Sequence, residues 1–153
     1  MPRLFSIAFV ALFVFSVNLF AQIPTTTLVN IVKAEDERRF DATLENLLKN
    51  PSPKVRERAA LAAGRIGDEN AVSALAWVLH DDKSPAVRRM AAFALGEIES
   101  GLASEAVIGY IGKEKDEELT ARLLEAAGKN AGAKPKNGKT SWLRRGIIEK
   151  LNK

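Results

Sequence analysis

The sequence predicts an all-α solenoid of stacked helix pairs, and three observations carry that reading. The first is repetition. Residues 52–66 read Ser-Pro-Lys-Val-Arg-Glu-Arg-Ala-Ala-Leu-Ala-Ala-Gly-Arg-Ile, and residues 84–98 read Ser-Pro-Ala-Val-Arg-Arg-Met-Ala-Ala-Phe-Ala-Leu-Gly-Glu-Ile. An offset of 32 residues lies in the range where each repeat is one supersecondary unit that buries its apolar face only against its neighbours. The second is periodicity. Val55, Ala59, Ala62 and Ile66 recur as Val87, Ala91, Ala94 and Ile98, one stripe of a helix. A second apolar segment follows each, with Ala71, Ala74, Leu75 and Leu79 answered by Ala103, Ala106, Val107 and Ile111, so each unit holds two helices. The third is composition. At 46% hydrophobic and 27% charged residues the chain is expected to fold, and 153 residues leave room for one small domain.

Composition also removes whole classes of chemistry. The chain has no cysteine, which excludes disulfides, thiolate metal sites, cysteine nucleophiles and lipid attached through a thiol. Its net charge of +4 favours solubility and is no nucleic-acid signature unless it gathers on one face.

Residues 1–21 read as a targeting segment: Arg3 supplies a positive start, residues 4–20 are almost unbroken apolar sequence, and Ala21 precedes Gln22 at a cleavage site. The other reading is an uncleaved membrane anchor, since a run of about 17 residues sits at the lower edge for spanning. In either case the body is exported, to the periplasm or the extracellular side, or anchored at the inner membrane. Removal of Arg3 with the segment lowers the net charge from +4 to +3. Residues 22–27 are expected to be a linker, and residues 28–153 a repeat domain with units 28–51, 52–83, 84–115 and 116–153.

In the first unit Phe40, Thr43, Leu44, Leu47 and Leu48 have helical spacing. The cluster Asp36, Glu37, Arg38 and Arg39 is expected to form a solvated face at the open end, because terminal repeats present a polar outer surface. The two regular units open with Ser52-Pro53 and Ser84-Pro85. A serine hydroxyl there can accept from an orphan backbone N–H, and proline has none to lose at the first helical position. Gly64, Gly96 and Gly128 recur near the ends of the first helices, where tight packing or termination explains them. A third unit starts at Asp116 and keeps the pattern through Leu119, Leu123, Ala126 and Ala127. After a basic, turn-rich insertion over residues 133–140, Leu143, Ile147, Ile148 and Leu151 are expected to close the core on a last helix.

The pattern Val-Arg-x-x-Ala-Ala-x-Ala-x-Gly-x-Ile from Val55 and from Val87 resembles HEAT-like repeats of the phycobilisome-lyase type. The longer phrases beginning at Glu35, Arg58 and Met90 resemble the upstream region of exported bacterial HEAT-repeat proteins, some of which continue into a cyclophilin-type isomerase domain. The resemblance implies a right-handed α-α superhelix of the armadillo/HEAT type, with about four helix pairs and the second helices on the concave side. It also implies that Arg56 and Arg88 form a ladder between units, ending where Thr120 takes the third place.

Catalysis needs a positioned acid, base, nucleophile or metal, and the chain offers little. The single histidine, His80, precedes Asp81 and Asp82. That trio reads as an exposed turn rather than a metal site. One histidine cannot build a di-iron site across repeats, and no serine or threonine has a partner base. The expectation is a protein that is not an enzyme and needs no cofactor.

Binding is expected on the second helices. If Ala71, Ala74, Leu75, Val78 and Leu79 are buried, Ser73, Ala76, Trp77 and His80 face outward. The equivalent positions are Glu105, Ile108, Gly109 and Gly112 in the next unit, Trp142, Arg145, Gly146 and Glu149 in the last, and Ala42, Glu45, Asn46 and Lys49 in the first. Trp77, Ile108 and Trp142 then form a broken apolar strip flanked by His80, Glu105 and Arg145, which suits an extended peptide. The competing reading folds the tryptophans into gaps between units. The basic residues Lys134, Lys136, Lys139, Arg144, Arg145, Lys150 and Lys153 leave three readings: a solvated end, a site for an acidic partner, or an anionic membrane or nucleic-acid contact. Export disfavours nucleic acid. Together these residues predict an exported, non-enzymatic scaffold for a protein or peptide. The alternative is a client-recruiting accessory of an isomerase or lyase system whose catalytic domain is elsewhere.

Overall fold

Proline at the first helical turn and alanine-rich stripes set the positions of the long helices, and the computed structural model, which describes residues 22–111 and 115–132, contains only helices and turns among them. The helices are α1 (Thr25–Asp36), α2 (Ala42–Leu47), α3 (Pro53–Ile66), α4 (Val72–Asp81), α5 (Pro85–Ile98), α6 (Gly101–Tyr110) and α7 (Glu117–Gly132), with a 3₁₀ turn, Glu69–Ala71, leading into α4. They form three successive pairs, and α7 opens a fourth unit. The expected targeting segment, Gly112, the basic insertion and the expected last helix with Trp142 and Arg145 lie outside the described residues. Helix α1 begins at Thr25, inside the stretch assigned to the linker.

The helix starts differ from expectation in one respect. Neither the Ser52 nor the Ser84 hydroxyl caps its helix. Each serine backbone N–H instead donates to a side chain two residues back, Asn50 Oδ1 at 2.9 Å and Asp82 Oδ1 at 2.8 Å. The carbonyls of Ser52 and Ser84 accept the first helical N–H groups. The loop is thus held by an Asx turn before the serine. Asp41 and Asp116 do cap with their carboxylates: Asp41 accepts from Thr43 and Leu44, and Asp116 from Glu118 and Leu119. The hydroxyl of Ser100 accepts from the Ala103 N–H at 3.2 Å and caps α6.

The first helices α1, α3, α5 and α7 pack in series, and α5, in the middle, also meets α4 and α6. Their contact surface is made of small residues. Ala59, Ala60, Ala62, Ala63, Ala91, Ala92, Ala94, Ala126 and Ala127 are all buried, which lets backbones come close. A Cβ built on Gly64 would lie 2.8 Å from the Ala94 Cα, and one on Gly96 would lie 2.9 Å from the Ala126 Cα. Tight packing therefore accounts for both glycines. Termination of α3 falls to Gly67, whose φ of 73° forms a left-handed cap. No described atom approaches a Cβ on Gly128 within 4 Å.

Larger side chains fill the space between first and second helices, with Leu44, Leu48, Leu75, Leu79, Leu95, Leu119 and Leu123 almost fully buried. Leu75, Val78 and Leu79 are buried as the stripe predicts, whereas Ala74 is only half-buried and Val72 takes a core place. Thr43, expected on the first unit's apolar stripe, is exposed, because Asp41 starts α2 two residues before it and turns that position outward.

At the open end Asp36, Glu37, Arg38 and Arg39 are all exposed, as expected, and the departure is an apolar patch beside them. Arg38 crosses to the Ile66 carbonyl at 2.9 Å, while Arg39 bridges Glu37 and Asp41. Beside them α1 buries Ile31 and Ala34 but leaves Leu28, Val29 and Val32 exposed. The end of the stack is therefore partly apolar.

Candidate functional site

Helix α4 turns Val72, Leu75, Val78 and Leu79 into the core. Helical geometry then directs Ser73 and Trp77 outward. Trp77 is 49% exposed, so its indole does not fill a gap between units. It stands at a groove of about 400 Å³ between α2 and α4. Glu45, Leu48 and Lys49 line one side, and Asn70, Ser73, Ala74 and Trp77 the other. Lys49 and Glu45 form an exposed ion pair at 2.9 Å on the rim. The groove thus offers an aromatic wall, an aliphatic floor and several polar groups.

The other expected site residues separate from this groove. Glu105 is exposed and Ile108 half-buried on α6, and neither lines it. His80 is exposed on the side of α4 facing α6, where its ring meets Tyr110 edge-on with centroids 5.0 Å apart. Trp142 and Arg145 lie outside the described residues. Within those residues, then, Trp77 is brought together with Glu45 and Lys49 of the preceding unit rather than with Ile108.

The ladder implied by Arg56 and Arg88 has a definite form. The Arg56 guanidinium donates to both oxygens of Asp82, Nε at 2.6 Å and Nη2 at 2.8 Å, a bidentate pair. Its Nη1 donates to the carbonyls of Asn50 at 2.8 Å and Pro51 at 3.1 Å. Arg88 repeats the Asn50 contact one unit on, donating to the Asp82 carbonyl at 3.0 Å. Burial pushes the Asp82 carboxyl up, but the Arg56 hydrogen bonds, the Ser84 N–H and the charges of Arg56 and Arg88 outweigh it and hold the pKa below the usual range. The hydrogen bonds that Arg56 donates to Asp82 in turn raise the pKa of Arg56. At the third place, Thr120 bonds back to the Asp116 carbonyl at 2.9 Å and makes no such bridge.

The carboxylate of Asp82 is therefore occupied by a guanidinium rather than open to a cation beside His80. Among the described residues no group of three His, Cys, Asp or Glu could hold a metal ion. A second groove, of about 430 Å³, crosses the first-helix face. Leu61, Met90 and Phe93 form its apolar part, and Arg89, Glu118 and Arg122 stand around it. Arg89 is paired with Asp116 and Glu118 at 3.4 Å, and Arg122 with Glu125 at 3.0 Å. The recurrence of a large apolar residue at Leu61 and Phe93, off the buried stripe, is the signal that sequence reasoning passed over.

A family model described as HEAT repeats matches residues 40–129, from just before α2 into the last turn of α7. Helix α1 falls outside the matched span. No curated protein matches the chain.

Proposed function

Because the chain belongs to the HEAT-repeat family, whose members typically serve as non-enzymatic scaffolds for protein–protein interaction, we propose that it is an exported scaffold that binds a protein or peptide segment on its second-helix face. The observation that carries this reading is Trp77, half-exposed at the groove between α2 and α4. A tryptophan in that position can bury a large area against a partner at little entropic cost, and tryptophan is enriched among binding hot spots. Export is supported by the apolar run of residues 4–20 behind Arg3. The narrower kinship, to phycobilisome-lyase-type repeats and to exported proteins bearing a cyclophilin-type domain, is supported by the sequence phrases from Val55, Val87 and Glu35.

The test places a photo-crosslinking residue at Ser73, beside Trp77, and another at Lys54, exposed on the first-helix side, and irradiates the protein in the cell envelope. A defined partner captured from position 73, absent from position 54 and lost in Trp77→Ala of unchanged helicity, is the expected result. Equal capture from both positions, or capture that survives Trp77→Ala, would move the interaction away from the groove.

A further inference from the structure

Among the described residues the outward apolar face of α1 has no partner. Ile31 and Ala34 point to the core, and Glu35 is clamped by Arg58 through two hydrogen bonds of 2.6 and 2.9 Å, which fixes the helix's rotation about its axis. In that rotation Leu28, Val29 and Val32, which share a face by their spacing, are 39%, 58% and 41% exposed. In a solenoid this outer end is where polar residues are expected. The helix also lies outside the span matched by the repeat family.

Two facts of the sequence bear on what could cover it. The chain carries no charged residue between Arg3 and Lys33, so the uncharged stretch runs through the apolar residues 4–20 and on through the first two turns of α1. Only residues 21–24 separate Phe20 from Thr25. Five Cα–Cα steps span at most about 18 Å, whereas the interfacial layer of a bilayer leaflet is about 5–8 Å deep. An apolar run held in a bilayer therefore keeps the start of α1 close to the lipid surface. Helix α1, at 12 residues, is too short to cross. Among the described residues no helix is long and apolar enough to do so.

We propose that α1 is a lipid-contacting helix: with residues 4–20 retained in the membrane, Leu28, Val29 and Val32 enter the interface and the repeat stack stands on the bilayer by this end. Lys33 follows the stripe and reaches the headgroup level with its ammonium. The partner is a lipid surface rather than an ionic one, since the exposed stripe and the residues before it lack charge. The proposal is independent of the groove at Trp77, because it concerns the opposite requirement, where the scaffold is held.

The absence of cysteine allows a clean test on the full chain. Single-cysteine variants Val29→Cys, Val32→Cys, Lys83→Cys and Glu117→Cys, all at exposed positions, carry an environment-sensitive fluorophore and are reconstituted into vesicles of phosphatidylethanolamine and phosphatidylglycerol. The expected result is a blue-shifted emission at positions 29 and 32 that is quenched by nitroxide-bearing lipids, with water-like, unquenched emission at 83 and 117. Water-like emission at 29 and 32 overturns the proposal. So does a blue shift there that nitroxide lipids leave unchanged, which would assign the face to a second copy of the chain. An intact mass showing that the protein in the cell begins at Gln22 would overturn it as well, by removing the run that brings α1 to the surface.

Discussion

Replacing Gly64 by alanine isolates the contact on which the first-helix stack depends. The new Cβ would lie 2.8 Å from the Ala94 Cα and 3.0 Å from its Cβ, against an optimum of about 3.5–4.0 Å between carbons. Both atoms that it meets belong to the rigid part of α5, so no side chain can swing away, and α3 and α5 must part by about 0.5–1 Å. Overpacking of this kind costs about 1–3 kcal/mol. Alanine's better helix propensity returns up to about 1 kcal/mol, and less in practice because Gly64 sits in the last turn of α3. The expected net effect is a loss of about 1–2 kcal/mol, or a fall in Tm of roughly 3–10 °C for a chain of this size. Gly109→Ala is the internal control. It makes the same substitution in α6, where no described atom lies within 4 Å of the added carbon, and it should be neutral or stabilising by up to about 1 kcal/mol. Urea and thermal unfolding followed by far-UV circular dichroism measure both. If Gly64→Ala unfolds at or above the wild-type midpoint, or if both variants move in the same direction, the close approach of α3 to α5 is not a determinant of stability.

Asp82→Ala should cost about 3 kcal/mol, the lower end of the range for a broken buried pair, because Arg56 keeps its bonds to the Asn50 and Pro51 carbonyls; equilibrium unfolding in urea at neutral pH reads it. The pKa values of Asp82 and of Glu35, where the Arg58 hydrogen bonds are the main cause, are both lowered by folding. Their stabilisation is complete above the unfolded values of about 4 and is lost as the pH falls through those values toward the folded ones. Acid titration of the unfolding midpoint should show this loss beginning near pH 5, and Asp82→Asn with Glu35→Gln should flatten it. Glu99 holds φ at 48° at the end of α5, the place that Gly67 occupies after α3, so Glu99→Gly should raise stability by about 1 kcal/mol, seen as a higher urea midpoint.

Much of this architecture was legible because it is written as repetition. The first-helix stripe of Val55, Ala59, Ala62 and Ile66 needed only its copy 32 residues later to show what is buried. Residues whose partners lie across the fold were harder. The serines before Pro53 and Pro85 look like caps, yet the Asx side chains two residues earlier hold the turns, since proline at the next position already removes one orphan donor. Asp82 read as a turn residue beside His80, and nothing local marks it as the acceptor for Arg56, 26 residues back. Leu28, Val29 and Val32 were hidden for another reason. A stripe of three apolar residues in a helix predicts burial, and only the rotation imposed by Ile31, Ala34 and Glu35 shows that it faces away. For the same reason the sequence could place Trp77 outward but not tell which neighbouring unit forms its groove.

The two layers of the stack differ in a way that bears on where a partner can be held. First helices meet through alanine and glycine at backbone distance, so their spacing is set by hard contact and their surface groove is rimmed by paired charges. Second helices carry larger residues and pack less extensively on one another, and α2 and α4 leave an open groove between them. The width of that groove is nevertheless fixed, by a residue outside it. Arg56 rises from α3 and bonds at once to the Asn50 and Pro51 carbonyls, just after α2, and to the Asp82 carboxylate, just after α4. One planar guanidinium therefore holds the ends of both helices that flank Trp77. A lysine could supply the charge but not the fork that reaches three acceptor groups. What reads in sequence as a structural ladder is thus also the element that ties together the segments following the two helices on either side of the groove, so a partner bound as proposed would meet a spacing set in advance.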